Sequence, residues 1–340
     1  MSSAAVGGPS AAPYHREGQH LSITVVGSIA FDAVKTPFGE RERMLGGAAV
    51  HFALAASFFE RVRVVGPVGD DFAEPELAVL EEHAIDTDDI ERVPGGKTFF
   101  WRGEYGWDLN TRETLDTQLN VFEHFEPKLS PESRASEVLF LANIQPDLQR
   151  RVREQCPQAR FVAMDSMNLW IETARDSLLQ TIAGVDCLIL NDAELRELTA
   201  KPNLVQAARE IFSWGPPGPA AIAAKQGEYG AALLTPDGFF GLPAFPLEAV
   251  VDPTGAGDSF AGGFVGYLAA RREELDAAGG ELPGDLLRRA MAYGTALASF
   301  NVEEFGTERV ARLTAEEIFA RVGELSEMTR FSDVRVPLRR

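Results

Sequence analysis

A regular alternation of short apolar segments with helical segments runs through the middle of the chain. The apolar segments have the length of buried strands and lie at 138–142, 161–164, 187–190 and 220–224. The helical segments lie between them, at 146–155, 173–183, 192–199 and 204–212. Strands that alternate with helices predict a mostly parallel sheet covered by helices on both faces. We therefore predict a doubly wound α/β fold, in which ligands bind at the carboxyl ends of the strands.

The stretch 250–266 reads V-V-D-P-T-G-A-G-D-S-F-A-G-G-F-V-G and predicts a loop that leads into a long helix, which runs from Asp258 to about residue 278. Gly255, Ala256 and Gly257 are small enough to let an oxyanion approach the backbone, and the unpaired N–H groups of a helix N-terminus favour an anion. Asp258 follows, and a carboxylate beside a phosphate is unfavourable unless it has a chemical role. The obvious role is to take the proton of a substrate hydroxyl during phosphoryl transfer. The alternative is that Asp258 only stabilises the helix dipole, by about 0.3–1 kcal/mol.

Composition limits the partners and the location. The 340 residues carry a net charge of −19, which argues against nucleic acid or an anionic membrane as a partner. No apolar run reaches the roughly 18 residues of a membrane span, and the two cysteines are expected to be reduced thiols of a cytoplasmic protein. We expect a disordered tail at 1–20, one domain at 21–330 and a C-terminal tail at 331–340.

The 250–266 stretch resembles the C-terminal signature of the ribokinase-like, phosphofructokinase-B type carbohydrate and nucleoside kinases, written D-T-x-G-A-G-D. Asp252, Thr254 and the run 255–258 match it, with Pro253 inserted. The resemblance extends over residues 22 to 310 and implies a ribokinase-like fold with a small β lid at about 33–45 and 96–123. It also implies transfer of the γ-phosphoryl group of ATP to a hydroxyl of a small sugar. In that reaction Asp258 is the base, and Gly255, Ala256 and Gly257 form the anion hole.

Two further motifs match the substrate side of the family. The segment after the first strand, G-S-I-A-F-D, ends at Asp32, and the resemblance implies that Asp32 holds substrate hydroxyls. Gly46 and Gly47 match the glycine pair that contacts substrate before a helix. His51 stands where the family usually has an asparagine that touches the substrate, which implies an altered choice of substrate. The alternative is a packed helix histidine with a backbone or water partner.

The nucleotide side carries an N-x-x-E motif at 191–194. Asn191 and Glu194 have the spacing of a helix capping box, which alone explains them. The resemblance adds a role in organising Mg²⁺ near the phosphates, with Glu194 acting through water, as Mg²⁺ keeps most of its waters. By the same resemblance the ATP site includes four further residues, namely Lys225, Gly227, Thr254 and Gly306. An ordinary surface lysine is nearly as good an interpretation of Lys225.

The remaining predictions rest on analogy or on aromatic composition. Asp252 and the loop 301–306 bind a monovalent cation in some relatives, and the lid pairs subunits into homodimers in others. The lid aromatics between Phe99 and Trp107 predict a lid core, with one or two of them in contact with a sugar or a base. Lys97 could meet a phosphate from the lid. The G-G-K-T at 95–98 is not a P-loop, because Arg92 stands where that motif needs glycine.

Two other functions remain open at this stage. A nucleoside kinase of the same fold is the first alternative, because His51 and an aromatic lid would suit a base as well as a sugar ring. A catalytically weak sensor that binds nucleotide or sugar is the second. The sequence argues against a dinucleotide-dependent oxidoreductase, because no G-x-G-x-x-G follows the first strand.

Overall fold

The computed structural model describes residues 22–215, 218–279 and 281–331. The tail predicted at 1–20 and positions 332–340 of the C-terminal tail lie outside these residues. The strands are β1 Ser22–Val26, β2 Ala30–Thr36, β3 Gly39–Gly46, β4 Arg61–Val68, β5 Ile90–Arg92, β6 Phe99–Tyr105, β7 Arg112–Gln118, β8 Val138–Leu141, β9 Phe161–Asp165, β10 Cys187–Asn191, β11 Ala221–Lys225, β12 Ala231–Thr235 and β13 Gly238–Leu242. The helices are α1 Ala48–Ala56, α2 Glu74–Glu82, α3 Pro131–Arg134, α4 Pro146–Gln155, α5 Asn168–Thr173, α6 Arg175–Ile182, α7 Asp192–Thr199, α8 Leu204–Ser213, α9 Ala256–Ala270, α10 Arg272–Ala277, α11 Gly284–Asn301 and α12 Ala315–Met328.

The main sheet has the strand order β13-β12-β11-β10-β9-β8-β1-β4-β5. Neighbouring strands from β11 to β5 are parallel, and β12 and β13 add an antiparallel hairpin at one edge. The predicted doubly wound sheet is confirmed. Because parallel strands end at the same edge, the segments that follow β1, β9, β10 and β11 meet there.

Alternating residues of the central strands enter two different cores. Val138 and Phe140 of β8 belong to the cluster formed with α1, α9 and α11, whereas Leu139 and Leu141 belong to the cluster formed with α4, α6, α7 and α8. Side chains alternate between the two faces of a strand, so continuous apolar runs are the pattern of a sheet that is buried on both sides.

A second sheet with the order β3-β2-β6-β7 forms the lid. The pairs β2–β3 and β6–β7 are antiparallel, but the central pair β2–β6 is parallel. The two lid strands within residues 93–122, β6 and β7, are antiparallel to each other, and β6 is parallel to the preceding lid strand β2. The parallel pair arises because the chain passes through α1, β4, α2 and β5 of the main domain between β2 and β6, and such a crossover returns the strand in the same direction.

Two helices differ from their predicted bounds. The helix expected from Asp258 to about 278 ends at Ala270, and α10 begins after Arg271, whose backbone leaves the helical region at φ −108 and ψ 30. The helix expected over 173–183 is α6, which begins at Arg175; the short helix α5, which ends at Thr173, was not predicted, and Ala174 with φ −139 separates the two. Neither break carries a glycine or a proline, so the sequence had no strong signal for it.

Candidate active site

The glycine loop, residues 252–258, joins the carboxyl edge of the main sheet to α9. Gly255 precedes α9 in the left-handed conformation at φ 76, which glycine adopts without strain. The carboxylate of Asp252 is buried and accepts hydrogen bonds from the backbone N–H of Thr254 at 2.9 Å and of Gly306 at 3.0 Å. One buried carboxylate therefore fixes both the start of the loop and the segment after α11.

Asp258 lies in the first turn of α9, half-buried, with its carboxylate among other charged groups. Its pKa is raised to about 7 because protein groups surround it and because the carboxylate of Asp165 is near, while Lys225 opposes the rise. A carboxylate with a pKa near neutrality can both accept and release a proton at physiological pH, as a general base must.

Lys225 at the end of β11 and Asp165 at the end of β9 form an ion pair beside the glycine loop. Their Nζ and Oδ2 atoms are 2.8 Å apart, with side chains that are 19% and 6% exposed. A Cβ on Gly257 would lie 3.0 Å from the Lys225 ammonium, so the cation lies directly against the loop. Nearby carboxylates raise the pKa of Lys225 above its usual value although burial lowers it.

Asp165 was not predicted as a site residue. The signal that could have found it is its position directly after an apolar strand, the same position that Asn191 and Lys225 occupy. Parallel neighbours place three such residues side by side.

Asn191 and Glu194 form the capping box of α7. The Asn191 side chain accepts from the Glu194 N–H, and the Glu194 carboxylate accepts from the Asn191 N–H, both at 2.8 Å. The pKa of Glu194 is nonetheless raised to about 7, chiefly by burial, with Lys225 opposing and Asp165 adding to the rise. The capping role is thus present, and the role near Mg²⁺ stays a prediction.

Asp32 on β2 faces the same cleft from the substrate side. It is 5% exposed, and its pKa is raised to about 7 by burial and by the nearby carboxylates of Asp252 and Asp258. A Cβ on Gly46 would lie 2.0 Å from the Asp32 carboxylate, and Gly47 has φ 96. The absence of a side chain at Gly46 therefore makes room for Asp32, whose carboxylate accepts a hydrogen bond from the Gly47 N–H; substrate binding by these residues stays a prediction.

His51 on α1 is 2% exposed and lies beneath Gly255, not on the wall of the cleft. Its Nδ1 is 3.1 Å from Oδ1 of Asn301, the last residue of α11. The glycine loop covers the ring, and the predicted contact of His51 with substrate stays a prediction.

The lid contributes three residues to the cleft. Tyr105 accepts a hydrogen bond at its hydroxyl oxygen from the Thr254 hydroxyl at 3.2 Å. Arg112, opposite Tyr105 in the β6–β7 ladder, lowers the pKa of both Asp32 and Glu194 through its charge. Trp101 pairs with Asp32 in the β2–β6 register, so the two side chains share one face of the lid. Arg112 was not predicted, because nothing in an exposed strand marks which face meets the cleft.

The turn predicted beside the nucleotide is also reached by the lid. Gly227 begins a short turn with φ 56, and the Asn110 amide at the lid tip donates to the Glu228 carboxylate at 3.0 Å. Gly306, with φ 55, is positioned by its bond to Asp252. Contacts of Gly227 and Gly306 with ATP remain predictions.

A cavity of about 440 Å³ lies on the other face of the lid, lined by Phe31, Lys97, Phe100 and Arg102 among others. The strand residues Phe31, Phe100 and Arg102 alternate with Asp32 and Trp101, so their side chains point to the opposite face of the lid sheet. Lys97 precedes β6 and also lines this cavity, and its contact with a phosphate stays a prediction.

The described residues contain neither a preformed metal site nor a membrane-spanning helix. Within residues 22–215, 218–279 and 281–331, no three His, Cys, Asp or Glu side chains are grouped so that they alone would hold a metal ion. In the same ranges no helix has both the length and the apolar character needed to span a membrane.

Comparison with known proteins agrees with the fold and identifies the family. The model of the pfkB family carbohydrate kinases matches residues 20–312, and the chain belongs to this family. Its relatives include a cytidine kinase of Thermococcus kodakarensis, 30% identical over 74% of this chain and 90% of the relative, and a nucleoside kinase of Methanothermobacter thermautotrophicus, 26% identical over 86% and 96%. The crystal structure of the nucleoside kinase of Methanocaldococcus jannaschii, an archaeal member of the ribokinase family, superposes with a TM-score of 0.71 at 20% identity, covering 91% of this chain and all of that one. The protein is thus a sugar or nucleoside kinase with the ribokinase-like fold.

Proposed function

We propose that the protein transfers the γ-phosphoryl group of ATP to a hydroxyl of a nucleoside, with Asp258 as the base. The observation that carries the assignment of the base is the half-buried Asp258 carboxylate, with its pKa raised to about 7, in the first turn of a helix that follows the left-handed Gly255. The loop brings N–H groups, which attract phosphate, and a proton acceptor within one helical turn of each other.

The reaction follows from these positions. Asp32 would accept hydrogen bonds from acceptor hydroxyls and orient the reactive one toward Asp258. Asp258 takes the proton of that hydroxyl as its oxygen forms a bond to the γ-phosphorus, and the bond from this phosphorus to the β–γ bridging oxygen breaks to release ADP. The proton then leaves Asp258 for solvent.

The negative charge of the transferred group needs stabilisation in a strongly acidic protein. The N–H groups of Gly255, Ala256 and Gly257 would form the anion hole, and Lys225 lies against this loop. Preorganised donors of this kind contribute more in a site without water than in bulk solvent. Arg112 of the lid adds a second cation on the side of Asp32.

The acidic groups fit a divalent cation. Asp165, Glu194 and Asp258 offer only oxygen ligands, and the pKa of each of the last two is raised partly by its acidic neighbour Asp165. These three side chains are not grouped to hold a metal ion by themselves, so we expect Mg²⁺ to arrive with the ATP phosphates, as it accepts few protein ligands and keeps waters. Bound there with ATP, Mg²⁺ would neutralise phosphate charge; Glu194 and Asn191 are the residues that we expect to hold its waters.

A nucleoside is favoured over a free sugar as acceptor for two reasons. The relatives named above include a cytidine kinase and a nucleoside kinase. In addition, Trp101 lies on the same lid face as Asp32, on the neighbouring strand. Its aromatic ring offers a surface on which a nucleobase could stack. A small sugar remains the second candidate, because the family as a whole is described as carbohydrate kinases.

The test is ADP release with ATP and Mg²⁺ across a panel of nucleosides, free sugars and sugar phosphates. We expect one or more nucleosides to respond most strongly. A response to free sugars alone would replace the nucleoside with a sugar, and silence across the panel with ATP still bound would favour a nucleotide-binding sensor. A parallel titration with K⁺ and Na⁺ tests the predicted monovalent-cation site, and sedimentation tests the predicted homodimer.

A further inference from the structure

The imidazole of His51 forms the floor under the glycine loop. A Cβ built on Gly255 would lie 2.4 Å from each of three ring atoms of His51, namely Cγ, Nδ1 and Cε1. A point at equal distance from three atoms of a planar ring lies on the axis through the ring centre, so Gly255 lies over the ring face. Only a glycine can lie this close to the ring, and the ring in turn limits how closely Gly255 can approach α1.

His51 also reaches the loop through Asn301. The Asn301 Oδ1 atom is 3.1 Å from Nδ1 of His51 and accepts a hydrogen bond from the Ser259 hydroxyl at 2.9 Å. The Asn301 Nδ2 atom donates to the carbonyl oxygen of Thr254 at 2.7 Å. Since Oδ1 is an acceptor here, Nδ1 of His51 carries the proton in this network.

The second ring nitrogen does not explain the burial of His51. Nε2 has no hydrogen-bond partner among the residues that the structure describes, and an unpaired buried acceptor is unfavourable. Burial lowers the pKa of His51 to about 4, so the ring is neutral at physiological pH. The polar interaction of this side chain with the protein is therefore the one through Nδ1 and Asn301.

We propose that His51 is a positioning residue that holds the glycine loop in the shape of an anion hole, by contact of its ring with Gly255 and by orienting Asn301 against Thr254. This proposal rests on the proposed function for its catalytic consequence, but the positioning itself is a property of the resting protein. It differs from the expectation raised by the family resemblance, in which the residue at this position touches the substrate.

Two substitutions separate the two contacts. His51→Ala removes the ring and the donor to Asn301, so both restraints on the loop are lost. His51→Gln keeps an N–H donor but lacks the ring, so we expect it to recover part of the loss. His83→Ala is the matched control, because His83 is a partly buried histidine whose Nε2 bonds to the carbonyl oxygen of Ala311, away from the loop.

The first measurement is backbone hydrogen exchange of a peptide covering 252–260 in the full-length protein without ligands. We expect exchange about tenfold faster in His51→Ala, an intermediate rate in His51→Gln and the wild-type rate in His83→Ala. Wild-type exchange in both folded His51 variants would overturn the proposal. If His51→Ala does not fold, wild-type exchange in His51→Gln together with unchanged exchange in Asn301→Ala would do the same.

The second measurement is the kinetics with the best acceptor. We expect kcat of His51→Ala to fall about 10–100-fold, because small misplacements of catalytic groups have effects of this size, with the acceptor KM within about twofold of wild type. An acceptor KM raised tenfold at unchanged kcat would overturn the proposal in favour of direct substrate contact. If wild-type protein phosphorylates no acceptor, the proposed function fails, and the exchange rates alone decide whether His51 positions the loop.

Discussion

Replacing Lys225 with methionine is expected to destabilise the protein strongly, because it leaves buried carboxylates without their cation. The Lys225 and Asp165 charges are 2.8 Å apart, and the two side chains are only 19% and 6% exposed. At an effective dielectric constant of about 20 their attraction is roughly 6 kcal/mol, part of which is offset by lost hydration. Removing one partner of such a pair costs about 3–5 kcal/mol, and we expect this loss in the free energy of unfolding at pH 8.

The loss should shrink at lower pH. In the folded variant the carboxylates of Asp165, Glu194 and Asp258 would repel one another, and protonation would relieve this repulsion. The pKa values of Glu194 and Asp258 are about 7 even when Lys225 is present. The same carboxyl groups stay ionised in the unfolded chain at pH 5.5, since their ordinary pKa values are near 4. The folded state therefore binds more protons than the unfolded state, and its relative stability rises as pH falls.

Urea unfolding of wild type, Lys225→Met, Asp165→Asn and the double variant at pH 8 and pH 5.5 measures this effect. The double variant should be more stable than Lys225→Met alone. Lys201→Met is the matched control, because Lys201 pairs with Glu210 at 3.1 Å at the surface, where both side chains are 38% exposed, and such pairs contribute about 0–1 kcal/mol. A loss below about 1 kcal/mol for Lys225→Met at pH 8, or a loss that grows at pH 5.5, would refute the reasoning.

Three further predictions concern the cleft. Arg112→Gln should lower kcat about tenfold or more at saturating ATP, since Asp32 and Glu194 then lose the lid charge that acts on both of them; unchanged steady-state kinetics would exclude a role for Arg112. Glu194→Gln should raise the Mg²⁺ concentration needed for half-maximal activity, and an identical Mg²⁺ titration would count against its predicted role. The raised pKa of Asp32 predicts that wild-type kcat/KM falls as the pH drops below about 7, because a protonated Asp32 accepts hydrogen bonds from substrate hydroxyls less well. A kcat/KM that stays constant down to about pH 4 would contradict this prediction.

Local patterns made the sheet and the glycine loop predictable. The continuous apolar runs at β8, β9 and β10 identify strands buried on both faces, and their alternation with helices determines a parallel sheet. The small residues 255–257 before Asp258 mark a helix N-terminus that is open to an anion. Asp32, Asn191, Glu194 and Lys225 were predicted as site residues from the resemblance to the kinase family, and each lies at or after the end of a strand.

Contacts between distant segments were beyond these patterns. Asp165 is hydrogen-bonded to Lys225, which is 60 positions away in the sequence, and His51 to Asn301, which is 250 positions away. Which face of the exposed strand β7 meets the cleft depends on the parallel pairing of β2 with β6, which in turn depends on the crossover through the main domain. Single side chains such as Arg112 therefore take part in the site without any local pattern that marks them.

The most direct test of Asp258 as the base compares wild type and Asp258→Asn in formation of the phosphorylated acceptor from ATP and Mg²⁺. Asparagine has the size of aspartate but cannot take a proton, so we expect kcat to fall about 10²–10⁴-fold while the protein still binds a non-hydrolysable ATP analogue. Turnover near the wild-type rate in Asp258→Asn would contradict the central claim.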